Sequence, residues 1–190
     1  MSIHDLDAED ARAIYKNTYY DMRRYKRLQL FTHAEEIIDK ESLAKGDLSI
    51  FLRLGSDYKN NYYEYEIPLT ITPAGSYSTN NTNDRYAVWP TENMFDFPLE
   101  LLKDVKLNRN KEKRKAGSTV SYTERYDEYD PEKPNNRVWV IGNPSLSEIN
   151  VIMVGVRNNT RMTKSAEIWI NELRLTAFDE EGGWAATGNL

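Results

Sequence analysis

The sequence has no cysteine. That excludes a disulfide framework, a thiol nucleophile and a thiolate zinc site, and it selects no redox compartment. Histidine is nearly absent: His4 and His33 are the only two, too few for His-rich metal chemistry. No window approaches the 18 apolar residues of a membrane-spanning helix. Residues 1–20 carry acids and no apolar core of a signal peptide. Excess positive charge is missing too. Lys plus Arg number 25 against 30 Asp plus Glu, a net charge of −5, which argues against a general nucleic-acid binder. Leu, Ile, Val and Phe together make up only about a fifth of the chain, near the composition at which highly charged chains stay disordered. The charge is modest, and 13 Tyr and 4 Trp supplement the core, so a folded domain is expected.

The clearest local signal is alternation. Leu48, Ile50, Leu52 and Leu54 share one face of a strand that Gly55 stops, and Tyr63, Tyr65, Ile67, Leu69 and Ile71 alternate in a partner across the turn at 56–61. Pro68 has no amide donor, so that partner is an edge or is bulged there. Strands are also expected at 25–33, 118–124, 137–141, 149–157 and 166–178. In the last, Ile168, Ile170, Leu173 and Leu175 cannot share a face unless a bulge lies near Asn171–Glu172. Residues 98–107 have helical spacing, with Pro98 in the first turn. A short helix is expected at 8–15 with Asp7 as cap, and an exposed loop at 73–84. The pattern predicts a mainly β protein: an antiparallel β-sandwich, jelly-roll-like and galactose-binding-like, with one inserted α-helix. The expected division is an N-terminal extension (1–22), a β-sandwich domain (23–178) and a C-terminal linker (179–190).

Four constellations could carry chemistry. Lys103, Lys106, Arg109, Lys111, Lys113, Arg114 and Lys115 form a basic run that reads either as a patch for an anionic partner or, more simply, as a solvated helix end. The acids of 124–132 and Asp179, Glu180 and Glu181 lack calcium-loop spacing and read as surface carboxylates. Glu64 and Glu66 suggest the two carboxylates of a glycosidase, but they fit the polar face of a strand better. Tyr62, Tyr86 and Trp89, with Tyr63 and Tyr65, form either a sugar-stacking platform or core. His33 has no second histidine nearby and reads as a surface or semi-buried strand residue rather than a catalyst. No catalytic residue, metal ligand or cofactor site is expected.

Three stretches are more specific: YYDMRRYKRLQLFTHAE (19–35), DLSIFLRLGSDYKNNYYEYEIPL (47–69) and AEIWINELRLTAFDEEGGWAA (166–186). Together they resemble the SprA/Sov family of Bacteroidetes, and WPTENMF (89–95) and NPSLSEINVIMVGVRN (143–158) add to the likeness. The family-motif residues are Arg23, Arg24, Trp169, Asn171, Glu172, Arg174, Gly182, Gly183 and Trp184. The resemblance implies one segment of a far longer cell-surface and outer-membrane protein, the β-barrel translocon of type IX secretion, which also supports gliding motility. It implies a non-catalytic structural or interaction domain that does not itself span the membrane. The implied partners are other segments of the same protein, a PorV-like outer-membrane protein and a plug protein. A weaker likeness to carbohydrate-binding jelly rolls leaves a second reading: a module for surface polysaccharide.

Overall fold

The computed structural model describes residues 1–178. Its strands are β1 (Ser2–Leu6), β2 (Ala11–Tyr20), β3 (Tyr25–Glu36), β4 (Leu48–Gly55), β5 (Tyr62–Pro68), β6 (Phe95–Pro98), β7 (Tyr126–Tyr129), β8 (Arg137–Ile141), β9 (Ile149–Asn158) and β10 (Lys164–Phe178). Two helices, α1 (Thr82–Val88) and α2 (Glu100–Lys113), join them. The strands form two antiparallel sheets, one ordered β1-β10-β3-β6 and the other β2-β9-β4-β5-β8-β7. They share one core. Leu28, Leu30, Phe95, Phe97 and Ile168 of the first sheet meet Ile50, Leu52, Tyr65, Val138 and Val156 of the second.

The alternation at 48–67 becomes the centre of the larger sheet. β4 and β5 pair from Ser49↔Pro68 to Gly55↔Tyr62. A Cβ at Gly55 would lie 2.1 Å from the Asn61 carbonyl oxygen, so this turn requires glycine. Asp57 holds the turn by accepting the amides of Lys59 (2.8 Å) and Asn60 (2.5 Å). Pro68 is tolerated because β8 accompanies β5 only to Glu66↔Arg137. Tyrosine does supplement the lean core. The Tyr65 ring stacks on Phe97 at 4.1 Å, and its hydroxyl donates to Asp130 Oδ2 at 2.5 Å. Burial, and then that hydrogen bond, push the Tyr65 pKa up. The bulge in β10 lies where the hydrophobic pattern breaks, with a register shift between Asn171 and Arg174 and Glu172 at φ 55°.

Several local expectations are corrected. Residues 8–15 are not helical, because segment 1–22 supplies β1 to the first sheet and β2 to the second. Ile14, Tyr15, Thr18, Tyr19 and Tyr20 favour extended backbone, and pairing with β9 decides the outcome. Residues 118–124 are irregular rather than a strand. Their backbone is held from elsewhere: Lys113 Nζ donates to the Val120 carbonyl at 3.2 Å, and the Gly142 amide donates to the Tyr122 carbonyl at 2.7 Å. The 73–84 loop runs into α1, which Asn81 caps by accepting the Asn83 amide. The inserted helix starts after Pro98 and runs beyond 107, to Lys113.

Candidate functional site

The outer face of the larger sheet carries Glu64 and Glu66, and there the structure closes the face. Glu64 is fully buried. It accepts Arg53 Nε at 2.8 Å and Nη2 at 2.5 Å and Arg157 Nη2 at 2.9 Å, with Arg125 Nη2 at 3.7 Å. Glu66 accepts Ser49 Oγ at 2.5 Å and Arg157 Nη1. Burial would lower the Arg157 pKa, but the charges of Glu64 and Glu66 outweigh it and raise it. Guanidinium groups roof the neighbouring rings: Arg53 lies 3.9 Å over Tyr62, and Arg125 lies 3.7 Å over Trp139. Glu64 is thus held by arginines, and Glu66 by Arg157 and Ser49. In these ion pairs both carboxylates are occupied by cations rather than open to a substrate.

The basic run is likewise engaged. Arg109 is fully buried, its Nη1 donating to the Gly142 carbonyl at 2.6 Å. Lys106 Nζ donates to the Pro144 carbonyl at 2.7 Å, and burial lowers its pKa. Lys103 and Lys115 pair with Glu100 and Glu112 along the helix. Arg109 and Lys106 thus pin the loop after β8, while Lys103 and Lys115 are paired on the helix itself.

One groove does bring predicted residues together. β3 and β10 align His33 with Trp169, and α1 ends beside them at Trp89. The His33 ring is flanked by Trp89 at 5.8 Å and Trp169 at 5.5 Å. Its Nδ1 lies 2.5 Å from the Val88 carbonyl and its Nε2 3.3 Å from Glu35 Oε2, so both nitrogens face acceptors. Trp169 is half-exposed, and its indole N–H donates to Glu167 Oε1 at 3.2 Å. Tyr77, Asp84 and Arg85 complete a half-open groove of about 410 Å³, within the size range of small-ligand sites. A wider groove of about 960 Å³ runs past Lys45, Glu92, Asp96 and Tyr129. Asp96 there is paired with Arg27.

The other predicted residues are dispersed. Tyr62 is buried under Arg53, Tyr86 is exposed on α1, and only Trp89 of those three lines the groove. Arg23 pairs with Asp21 at 2.6 Å, and Arg24 lies 4.3 Å over the Phe178 ring. Asn171 and Glu172 form the bulge, with Glu172 paired to Arg174. Gly182, Gly183 and Trp184 lie outside the described residues. Sequence reading missed the juxtaposition of His33, Trp89 and Trp169. His33 and Trp169 are opposite one another only through strand register, and the strand alternation within 166–170 was the one signal that pointed to it. Among the described residues no cluster of His, Asp or Glu could hold a metal ion, and no helix is long and apolar enough to cross a membrane.

No curated protein matches this sequence. A family of motility-related/secretion proteins, SprA_N, matches residues 1–190, and the chain belongs to that family.

Proposed function

We propose that the chain is a non-catalytic structural and interaction domain of a large outer-membrane translocon of the type IX secretion and gliding-motility kind. The carrying observation is family membership over all of residues 1–190, for a motility-related/secretion protein. The geometry supports that reading: the paired carboxylates are locked into arginine pairs, and Lys106 and Arg109 of the basic run are spent on loop carbonyls. Partners on this reading are other segments of the same protein, a PorV-like outer-membrane protein and a plug protein. The test is envelope fractionation and co-purification of the full-length protein with and without residues 2–178. The intact protein is expected in the outer membrane, and the deletion is expected to lose at least one co-purifying envelope protein. Recovery in the cytoplasm, or an unchanged set of partners, would count against the proposal.

One observation favours a second reading, a polysaccharide-binding module. The groove sets two indoles beside carboxylates and a guanidinium, a combination that suits a neutral polyol. Saturable shifts of the Trp169 indole N–H on adding monosaccharides, lost in Trp89→Ala, would support it. Unchanged spectra across a hexose and hexosamine panel would end it.

A further inference from the structure

The four sheet edges are unequal. β1, β6 and β7 are 5, 4 and 4 residues long, whereas β2 has 10. Short edges resist pairing with other chains, and a long exposed edge offers a row of unpaired amides and carbonyls to an incoming strand. Among the described residues β2 pairs with β9 alone. Thr18 is its one buried residue, donating to the Ile149 carbonyl at 2.8 Å.

Register shows which face of β2 is incomplete. Ile14 aligns with Val154 and, through it, with Leu52 of the core, yet Ile14 is 58% exposed. The smaller sheet therefore leaves Ile14 uncovered, and the inward row of β2 overhangs there. Arg12 and Lys16 flank Ile14 in that row, aligned with Val156 and Ile152. Arg12 donates to a neutral acceptor, the His4 carbonyl, at 2.7 Å, and among the described residues it pairs with no carboxylate. The outward row carries Tyr15, stacked on Tyr58 at 5.2 Å. Segment 11–20 contains no acid, and Tyr19 near its end is 89% exposed.

We infer that β2 receives an extended segment of the same large protein, from outside residues 1–190, as a seventh strand of the six-stranded sheet. Main-chain hydrogen bonds supply the affinity, and side chains set the choice of partner. The segment carries an apolar side chain over Ile14 and acids opposite Arg12 and Lys16. Inward-pointing charges on an edge repel indiscriminate apolar strands, so they select a partner with matching acids. This inference rests on the secretion reading only for the source of the strand.

The test places a photo-crosslinking amino acid at Tyr19, and separately at Ile14, in the full-length protein in its native envelope. Crosslinked peptides are then mapped by mass spectrometry. The expected product joins β2 to one extended, acid-containing stretch of the same protein. Arg12→Glu with Lys16→Glu should lower its yield at least five-fold, with the melting temperature of the 190-residue chain lowered only by the loss of the exposed Arg12–His4 contact. Lys16→Gln should lower it less, and serves if the double reversal misfolds. No crosslink, a crosslink to lipid or to another protein, or a yield indifferent to charge reversal overturns the inference. Export measured in the same strains separates the two ideas. A charge-sensitive crosslink with normal export leaves strand addition standing and removes its role in secretion.

Discussion

Substituting Glu64→Gln tests whether the outer-face ion lattice holds the larger sheet together. The substitution keeps the shape and removes the charge from a fully buried carboxylate. Arg53 and Arg157 have side chains 15% and 17% exposed, so neither regains full hydration when the partner is lost. Arg157 keeps Glu66, and Arg53 keeps the Tyr58 carbonyl at 2.5 Å and the Tyr62 ring. The cost therefore belongs at the lower end for breaking a buried ion pair, about 3 kcal/mol. At about 2–4 °C per kcal/mol for a chain of this size, the melting temperature should fall by about 6–12 °C. Urea unfolding followed by tryptophan fluorescence gives the free energy directly, and calorimetry gives the temperature. The double variant Glu64→Gln/Arg53→Met should recover at least about 1 kcal/mol, because a well-packed apolar side chain often replaces a buried ion without loss. A Glu64→Gln protein within about 0.5 kcal/mol of the parent, the range of ordinary surface changes, would refute the reasoning.

Three further outcomes are expected. Burial pushes the Asp57 carboxyl up, but hydrogen bonds from the 59–61 turn outweigh it and hold the pKa below the ordinary 3.8. Its contribution is present above about pH 4 and is lost as pH falls through the lower folded value, so Asp57→Asn should destabilise the chain at pH 7 and flatten its acid unfolding below pH 4. Gly142→Ala should destabilise strongly in urea melts, since Gly142 has φ 69° and a Cβ there would lie 2.0 Å from the Asn60 carbonyl oxygen. Equal midpoints for the two proteins would contradict this. Glu172→Gly should stabilise by a few tenths to about 1 kcal/mol, because it relieves a positive φ and loses only an exposed ion pair. A destabilised variant would show that the Arg174 contact matters more than the backbone.

What the sequence revealed depended on how local the cause was. β4, β5, β8, β9 and β10 are legible because alternating apolar residues sit beside turn residues, and the β10 bulge is legible because the alternation fails at one place. β2 was not legible: its polar, tyrosine-rich sequence has a thin apolar stripe, and it becomes a strand through Ala11↔Arg157 and the pairs that follow. The basic run illustrates the same limit. Helical spacing placed Arg109 on α2, but only tertiary structure supplies the Gly142 carbonyl that allows its guanidinium to be buried. The aromatic platform was half legible. Trp89 reaches the groove, whereas Tyr62 lies under Arg53 on the other sheet, a separation set by topology rather than by spacing.

The most direct test of the account replaces residues 2–178 of the full-length protein with a flexible linker and measures cargo export per assembled outer-membrane complex. On the proposed function, the deleted protein still reaches the envelope but without at least one of its partners, and export per complex falls. Export at the parental rate from normally assembled complexes would contradict it.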